Sequence, residues 1–157
     1  MRRFLPFLLL PLAACGAEPA TTPTPPPVTT TAEYVRTPLD CSKLTVTALT
    51  VEPGIGYIFG THAEWLPKGQ YIRIRVAITN TDNEFHTTRP TDYQLDDAAD
   101  HPHTTSVDAM EIKRQPNELN IGAGNRVEMD LWYDIPVDTS PKLLRDTTCT
   151  TTIPLPG

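Results

Sequence analysis

From Gln70 to Asn80 the chain alternates: Ile72, Ile74, Val76 and Ile78 occupy every second position, with Tyr71, Arg73, Arg75, Ala77 and Thr79 between them. Successive side chains on a strand point to opposite faces, so this spacing predicts a half-buried strand whose dry face must be covered by a second sheet. Val127, Met129, Leu131, Tyr133 and Ile135 repeat the pattern, with Glu128, Asp130, Trp132 and Asp134 on the outer face and Pro136 ending the run. This second strand is expected to face the first.

Weaker patterns fill the intervals. Leu44, Val46 and Ala48 share one phase and Leu49 and Val51 the other, which predicts a bulge inside a first strand. Pro53-Gly54 reads as a turn, Gly54 to Gly60 as an irregular strand or loop, and Pro67-Lys68-Gly69 as the turn delivering the central strand. Asp92 to Asp96 alternates again, Asp97-Ala98-Ala99-Asp100 reads as a hairpin tip, and His101 to Val107 would return. Met110 and Ile112 form a short apolar pair, and Gly122 to Asn125 a tight turn. Pro141 to Asp146 reads as a helical turn or loop, and Thr147 to Leu155 as a final threonine-rich strand. Six to eight short strands separated by turn signals, with no long amphipathic helix, predict an all-β, two-sheet antiparallel sandwich. A small closed barrel would show the same pattern, and the sandwich is preferred.

The amino terminus is different in kind. Arg2 and Arg3 precede an apolar run, Phe4 to Leu12, that is too short to cross a bilayer core needing ~20 helical residues. Residues 1–14 read as a secretory signal. Its end, Leu12-Ala13-Ala14-Cys15, resembles the bacterial lipobox, which implies diacylation of Cys15 and anchoring in the cell membrane on its extracytoplasmic face. The competing reading is an ordinary signal with Cys15 an incidental thiol. Residues 15–38 follow as a tether. Between Ala17 and Pro38 there are six Pro and seven Thr among 22 residues, a composition that cannot build a core and suits an extended spacer. Thr beside Pro also suits O-glycosylation.

Residues 39–157 form one domain of ordinary size. Setting aside Glu18, Glu33, Arg2, Arg3 and Arg36 leaves it 17 acidic against 10 basic side chains, a balance that repels a phosphate backbone and excludes nucleic acid as partner. With Cys15 acylated, Cys41 and Cys149 remain, and in an exported protein they are expected to pair, closing a loop of about 108 residues. The alternative, a metal pair, lacks a neighbouring Cys-x-x-Cys or a His at ligand spacing.

At this point the order of motifs resembles a known family. The strand Tyr71 to Asn80, the hairpin Asp92-Tyr93-Gln94-Leu95-Asp96-Asp97, the turn Leu119 to Gly124 and the strand closing Trp132-Tyr133-Asp134-Ile135-Pro136 are similar to the telokin-like, immunoglobulin-type domain of bacterial secreted proteins and lipoproteins. That family has no assigned function, and the likeness covers roughly residues 43 to 155. It implies an immunoglobulin-like, two-sheet antiparallel sandwich on a lipid tether that mediates contacts at the cell surface, and it transfers no site residues. Two departures stand out: Asp97-Ala98-Ala99-Asp100 where the family turns on Gly, and Ala123-Gly124 where it has Pro-Gly.

Candidate chemistry is sparse. Ser42, Ser106 and Ser140 are the only serines, none within Gly-x-Ser-x-Gly, and His62 and His86 are isolated, so the chain is expected not to be an enzyme and to need no cofactor. His101 and His103 share a strand face, and with Asp97 across the hairpin they could supply a nitrogen and oxygen set for a metal or small ligand; a solvated hairpin tip is the competing reading. Trp132 amid acids, Tyr71 beside the central strand and Trp65 on the preceding loop suggest anchors for an envelope or extracellular protein partner. The competing reading there is an outer face covered by a loop or strand.

Overall fold

The computed structural model describes residues 40–156. The expected signal peptide over 1–14 and tether over 15–38, with Cys15, lie outside them. In chain order the elements are β1 (Leu44–Ile55), β2 (Ile58–Phe59), β3 (Glu64–Trp65), β4 (Gln70–Asn80), β5 (His86–Thr88), a 3-10 turn (Pro90–Asp92), β6 (Tyr93–Asp97), β7 (Pro102–His103), α1 (Val107–Ile112), β8 (Leu119–Ile121), β9 (Arg126–Ile135), β10 (Pro141–Asp146) and β11 (Thr151–Pro154).

Two antiparallel sheets dominate. One runs β1-β4-β9 and the other β11-β10-β6-β7, while β2-β3 and β5-β8 form separate two-stranded ladders. The fold is an open all-β sandwich, as the alternation predicts. The two ideal strands do not oppose each other, however. β4 and β9 are hydrogen-bonded neighbours with Ile74 opposite Leu131 and Arg73 opposite Trp132, so their apolar faces merge into one surface. Tyr93, Leu95, Leu144 and Ile153 of the second sheet cover that surface, and Ile72, Ile74, Val76, Ile78 and Leu131 are fully buried. Across the layers the Tyr133 hydroxyl donates to the Tyr93 carbonyl at 3.2 Å, and the Tyr93 and Thr88 hydroxyls are 2.8 Å apart. Burial raises both phenols above the ordinary tyrosine pKa, so these rings stay neutral and act as hydrogen-bonding hydrophobes.

Several local expectations change. The phase slip in β1 is a register shift between Ala48 and Thr50, as expected, but Pro53-Gly54 makes a second shift inside the strand instead of ending it. Gly54 has φ 75°, which glycine adopts without strain. Pro141 to Asp146 is a strand, not a helical turn: Pro141 stands at its first position, where no ladder donor is lost, and Leu144 turns wholly inward. The segment after His103 does not return as a long strand, because Ser106 caps α1, its side chain accepting from the Ala109 N–H. Cys41 and Cys149 form the expected disulfide, with a Cα–Cα distance of 5.5 Å, and pin the chain ahead of β1 to the turn before β11.

Asn80 closes one end of the sandwich. Fully buried, its side-chain nitrogen lies 2.7 to 3.1 Å from the carbonyls of Glu84, Ile121 and Gly122, and its oxygen accepts from the Asp82 N–H at 2.9 Å. Every polar atom of a buried amide is thereby engaged. Asn80→Asp puts an acceptor against those carbonyls and is expected to lower unfolding free energy by about 2–3 kcal/mol in urea titrations, as removal of a buried partner does.

Candidate contact surface

The outer face of the β1-β4-β9 sheet carries a second, smaller core. Ile58, Tyr71, Ala109, Met110 and Trp132 cluster there, with Ile55 and Ile112 packed against them. This corrects the exposure expected of Trp132 and Tyr71. They are 4% and 3% exposed, because α1 lays Ala109 and Met110 over the sheet and the β2-β3 hairpin brings in Ile58. The two rings meet edge to face at 6.4 Å between centroids. The Arg73 guanidinium and the Lys113 ammonium lie 6.0 and 5.7 Å from the Trp132 ring centre, within cation–π range. The Trp132 indole N–H is buried without an acceptor, so packing and these cations hold the ring. Burial, with the carboxylates of Asp134 and Asp108 nearby, raises the Tyr71 phenol above its ordinary pKa.

Backbone contacts fix what covers this face. Ser106 donates its N–H to the Trp132 carbonyl at 2.7 Å and Thr105 bridges Tyr133, so the chain entering α1 is held along the free edge of β9. Farther along that edge, the Gln115 side-chain oxygen accepts from the Asp130 N–H at 3.0 Å. The turn feeding β4 is fastened by Asp134, whose carboxylate accepts from the Lys68 and Gly69 N–H groups at 2.8 and 3.0 Å. Gly69 is required there, since a Cβ would sit 2.1 Å from the Ile135 carbonyl oxygen.

Trp65 remains outside, as its loop position suggests. On the β2-β3 hairpin Ile58 points in while Phe59 and Trp65 are 60% and 46% exposed, and Tyr57 meets Phe59 edge to face at 5.2 Å. Tyr57, Phe59, Trp65, Leu66 and Val107 are five of the seven large apolar side chains exposed among the described residues, and all five belong to this hairpin, its flanks and α1. This concentration of exposed apolar side chains makes the hairpin the candidate contact surface.

A cavity of about 380 Å3 opens beside Trp65, between the Gly60–Ala63 loop and α1, with Asp108, Glu111, Ile112 and Arg114 along its helical wall. Trp65 lies across Gly60, where a Cβ would come within 2.9 Å of the indole nitrogen. Arg114 follows α1 with φ 51°, a left-handed conformation that favours glycine and costs a larger residue about 1 kcal/mol. A wider cleft of about 510 Å3 lies between Lys68-Gly69 and Thr104 to Ser106, but its central carboxylate, Asp134, already holds the turn.

Asp97, His101 and His103 come together as a hairpin latch. The Asp97 carboxylate accepts from the Ala99 and His101 N–H groups at 2.9 Å and bonds His103 Nε2 at 2.9 Å, while His101 Nδ1 stands 3.6 Å away. Both oxygens are occupied by the hairpin's own donors. Among the described residues no group of three His, Cys, Asp or Glu side chains is placed to hold a metal ion. Asp100 adopts the left-handed conformation, φ 62°, doing at the tip what a glycine would do.

An all-β sandwich with an aromatic-bearing hairpin over one sheet is the class these features define. A family described as a domain of unknown function (DUF4352) matches residues 40–149, and the chain belongs to it. Among solved structures, the yjhA protein from Bacillus subtilis is similar at 19% identity and a TM-score of 0.46, over 61% of this chain and 68% of that one. No curated protein matches.

The hydrogen bond to His103, then those from His101 and Ala99, hold the Asp97 carboxyl well below the usual carboxylate range, against the opposing effect of burial. A carboxyl lowered on folding contributes stability that is complete above its unfolded pKa of about 3.9 and is lost as pH falls below it. Asp97→Asn is therefore expected to be less stable than the native chain at pH 7, with the gap narrowing between pH 4 and pH 2 in urea titrations.

Proposed function

We propose that the protein is a lipid-anchored, non-enzymatic module that makes protein contacts on the extracytoplasmic side of the cell envelope. The observation that carries this reading is the gathering of Tyr57, Phe59, Trp65 and Leu66 on one short hairpin, away from both cores. Aromatic side chains supply large contact area with little conformational entropy to lose, and exposed ones on a rigid support serve as anchors. The resemblance of the motif order to telokin-like, immunoglobulin-type domains suits a binding scaffold. Leu12-Ala13-Ala14-Cys15 supplies the anchor, and the Pro- and Thr-rich stretch holds the domain away from the bilayer.

The contact face is then the β2-β3 hairpin with Trp65, and Trp132 and Tyr71 support it from beneath. A carrier reading through His101 and His103 has no comparable support, since Asp97 is already engaged by the hairpin.

A photo-crosslinking residue at Phe59 in cells is expected to give a discrete adduct, and the same residue at Thr152, on the distant β11, none. Equal labelling from both positions would contradict the assignment. Mass spectrometry of the mature protein is expected to find acyl chains on Cys15, and an unmodified thiol there would remove the anchor.

A further inference from the structure

We propose that the cavity beside Trp65 binds small zwitterions of the amino acid and dipeptide class. The inference rests on reading this end of the domain as a recognition face and names the ligand chemistry that the face takes. At about 380 Å3 the cavity lies within the range of small-ligand sites. Its wall is set by helical spacing. Asp108, Glu111 and Ile112 stand at i, i+3 and i+4 of α1 and line the cavity, while Ala109 and Met110 bury themselves against the sheet.

Among the described residues, the charges on that wall have no ion-pair partner. Arg73, Arg75, Arg89, Arg126 and Arg145 all form ion pairs with carboxylates, and Arg114 is the one arginine among the described residues that does not. Asp108 and Glu111 likewise make no ion pair or side-chain hydrogen bond among the described residues, although both share the cavity with Arg114. Two carboxylates, a guanidinium, the His62 imidazole and the Thr61 hydroxyl thus border a chamber whose apolar wall is Trp65, Ala63 and Ile112. An ammonium group is matched by Asp108 and Glu111, a carboxylate by the planar fork of Arg114, and an aliphatic side chain by the Trp65 face.

Arg114 also sits where its backbone would favour glycine, at φ 51° just past the helix end. Substituting glycine there removes the guanidinium and relieves the strain together, which separates a binding role from a structural one.

The test is calorimetric titration of the full chain with glycyl-leucine, N-acetyl-glycyl-leucine and glycyl-leucinamide. Saturable binding of glycyl-leucine is expected, with affinity about tenfold weaker for each derivative, because each blocks one charge-assisted contact. Arg114→Gly is expected to melt at the same or a higher temperature and to bind glycyl-leucine and its amide equally. Glu111→Gln is expected to reduce the penalty for acetylation. No binding at about 10 mM dipeptide, equal affinity for all three probes, or an Arg114→Gly chain that still discriminates against the amide would overturn the proposal. Crosslinks from Phe59 without dipeptide binding would remove this inference and leave the contact reading standing.

Discussion

Everything in the domain follows from two strands with the same alternation lying side by side. Because β4 and β9 pair in register, Ile72, Ile74, Val76 and Ile78 join Met129, Leu131, Tyr133 and Ile135 in a single apolar surface. No one strand could cover it. The second sheet does so with Tyr93, Leu95, Leu144 and Ile153; the Tyr133 hydroxyl donates to the Tyr93 carbonyl and the Tyr93 hydroxyl pairs with Thr88, so both phenols that this contact buries are satisfied. Pairing also fixes the other face. It brings Trp132 beside Arg73, with Tyr71 edge-on to the ring, and leaves that group to be roofed by α1 and the β2-β3 hairpin. One sheet therefore has cores on both sides, a large one under the second sheet and a small one under a roof whose upper surface is aromatic.

What was legible in the sequence was periodicity long enough to count. Nine or more residues of strict alternation in β4 and β9, and a phase slip in β1, translate directly into strand, face and bulge. Partnership was not legible, because alternation states which face is dry and not whether a similar strand lies beside it or across from it. α1 has six residues, under two turns, so Met110 and Ile112 show no helical period; the readable signal was Ser106 followed by Asp108 in the first turn. β10 was obscured by Pro141 and the adjacent Leu143-Leu144, of which only Leu144 turns fully inward, next to a register shift.

The candidate surface was legible only at Trp65. Trp132 and Tyr71 alternate with apolar residues in a way that signals an outer face, and nothing in that pattern records that a short helix, remote from both in the chain, covers it. The His101 and His103 hairpin shows the converse. Its residue types suggested ligands, yet Asp97 answers the backbone first, because an aspartate at the start of a tight turn meets the N–H groups two and four residues on before it meets anything else.

The most direct test of the two-cored sheet is a single nuclear Overhauser spectrum of the folded domain within the full chain, read at the adjacent residues Leu131 and Trp132. The structure predicts that Leu131 methyl protons see Leu95 and Leu144 while the Trp132 ring sees Tyr71 and the Met110 methyl. A Trp132 ring with no protein neighbours beyond its own strand, or Leu131 and Trp132 sharing the same neighbours, would contradict it.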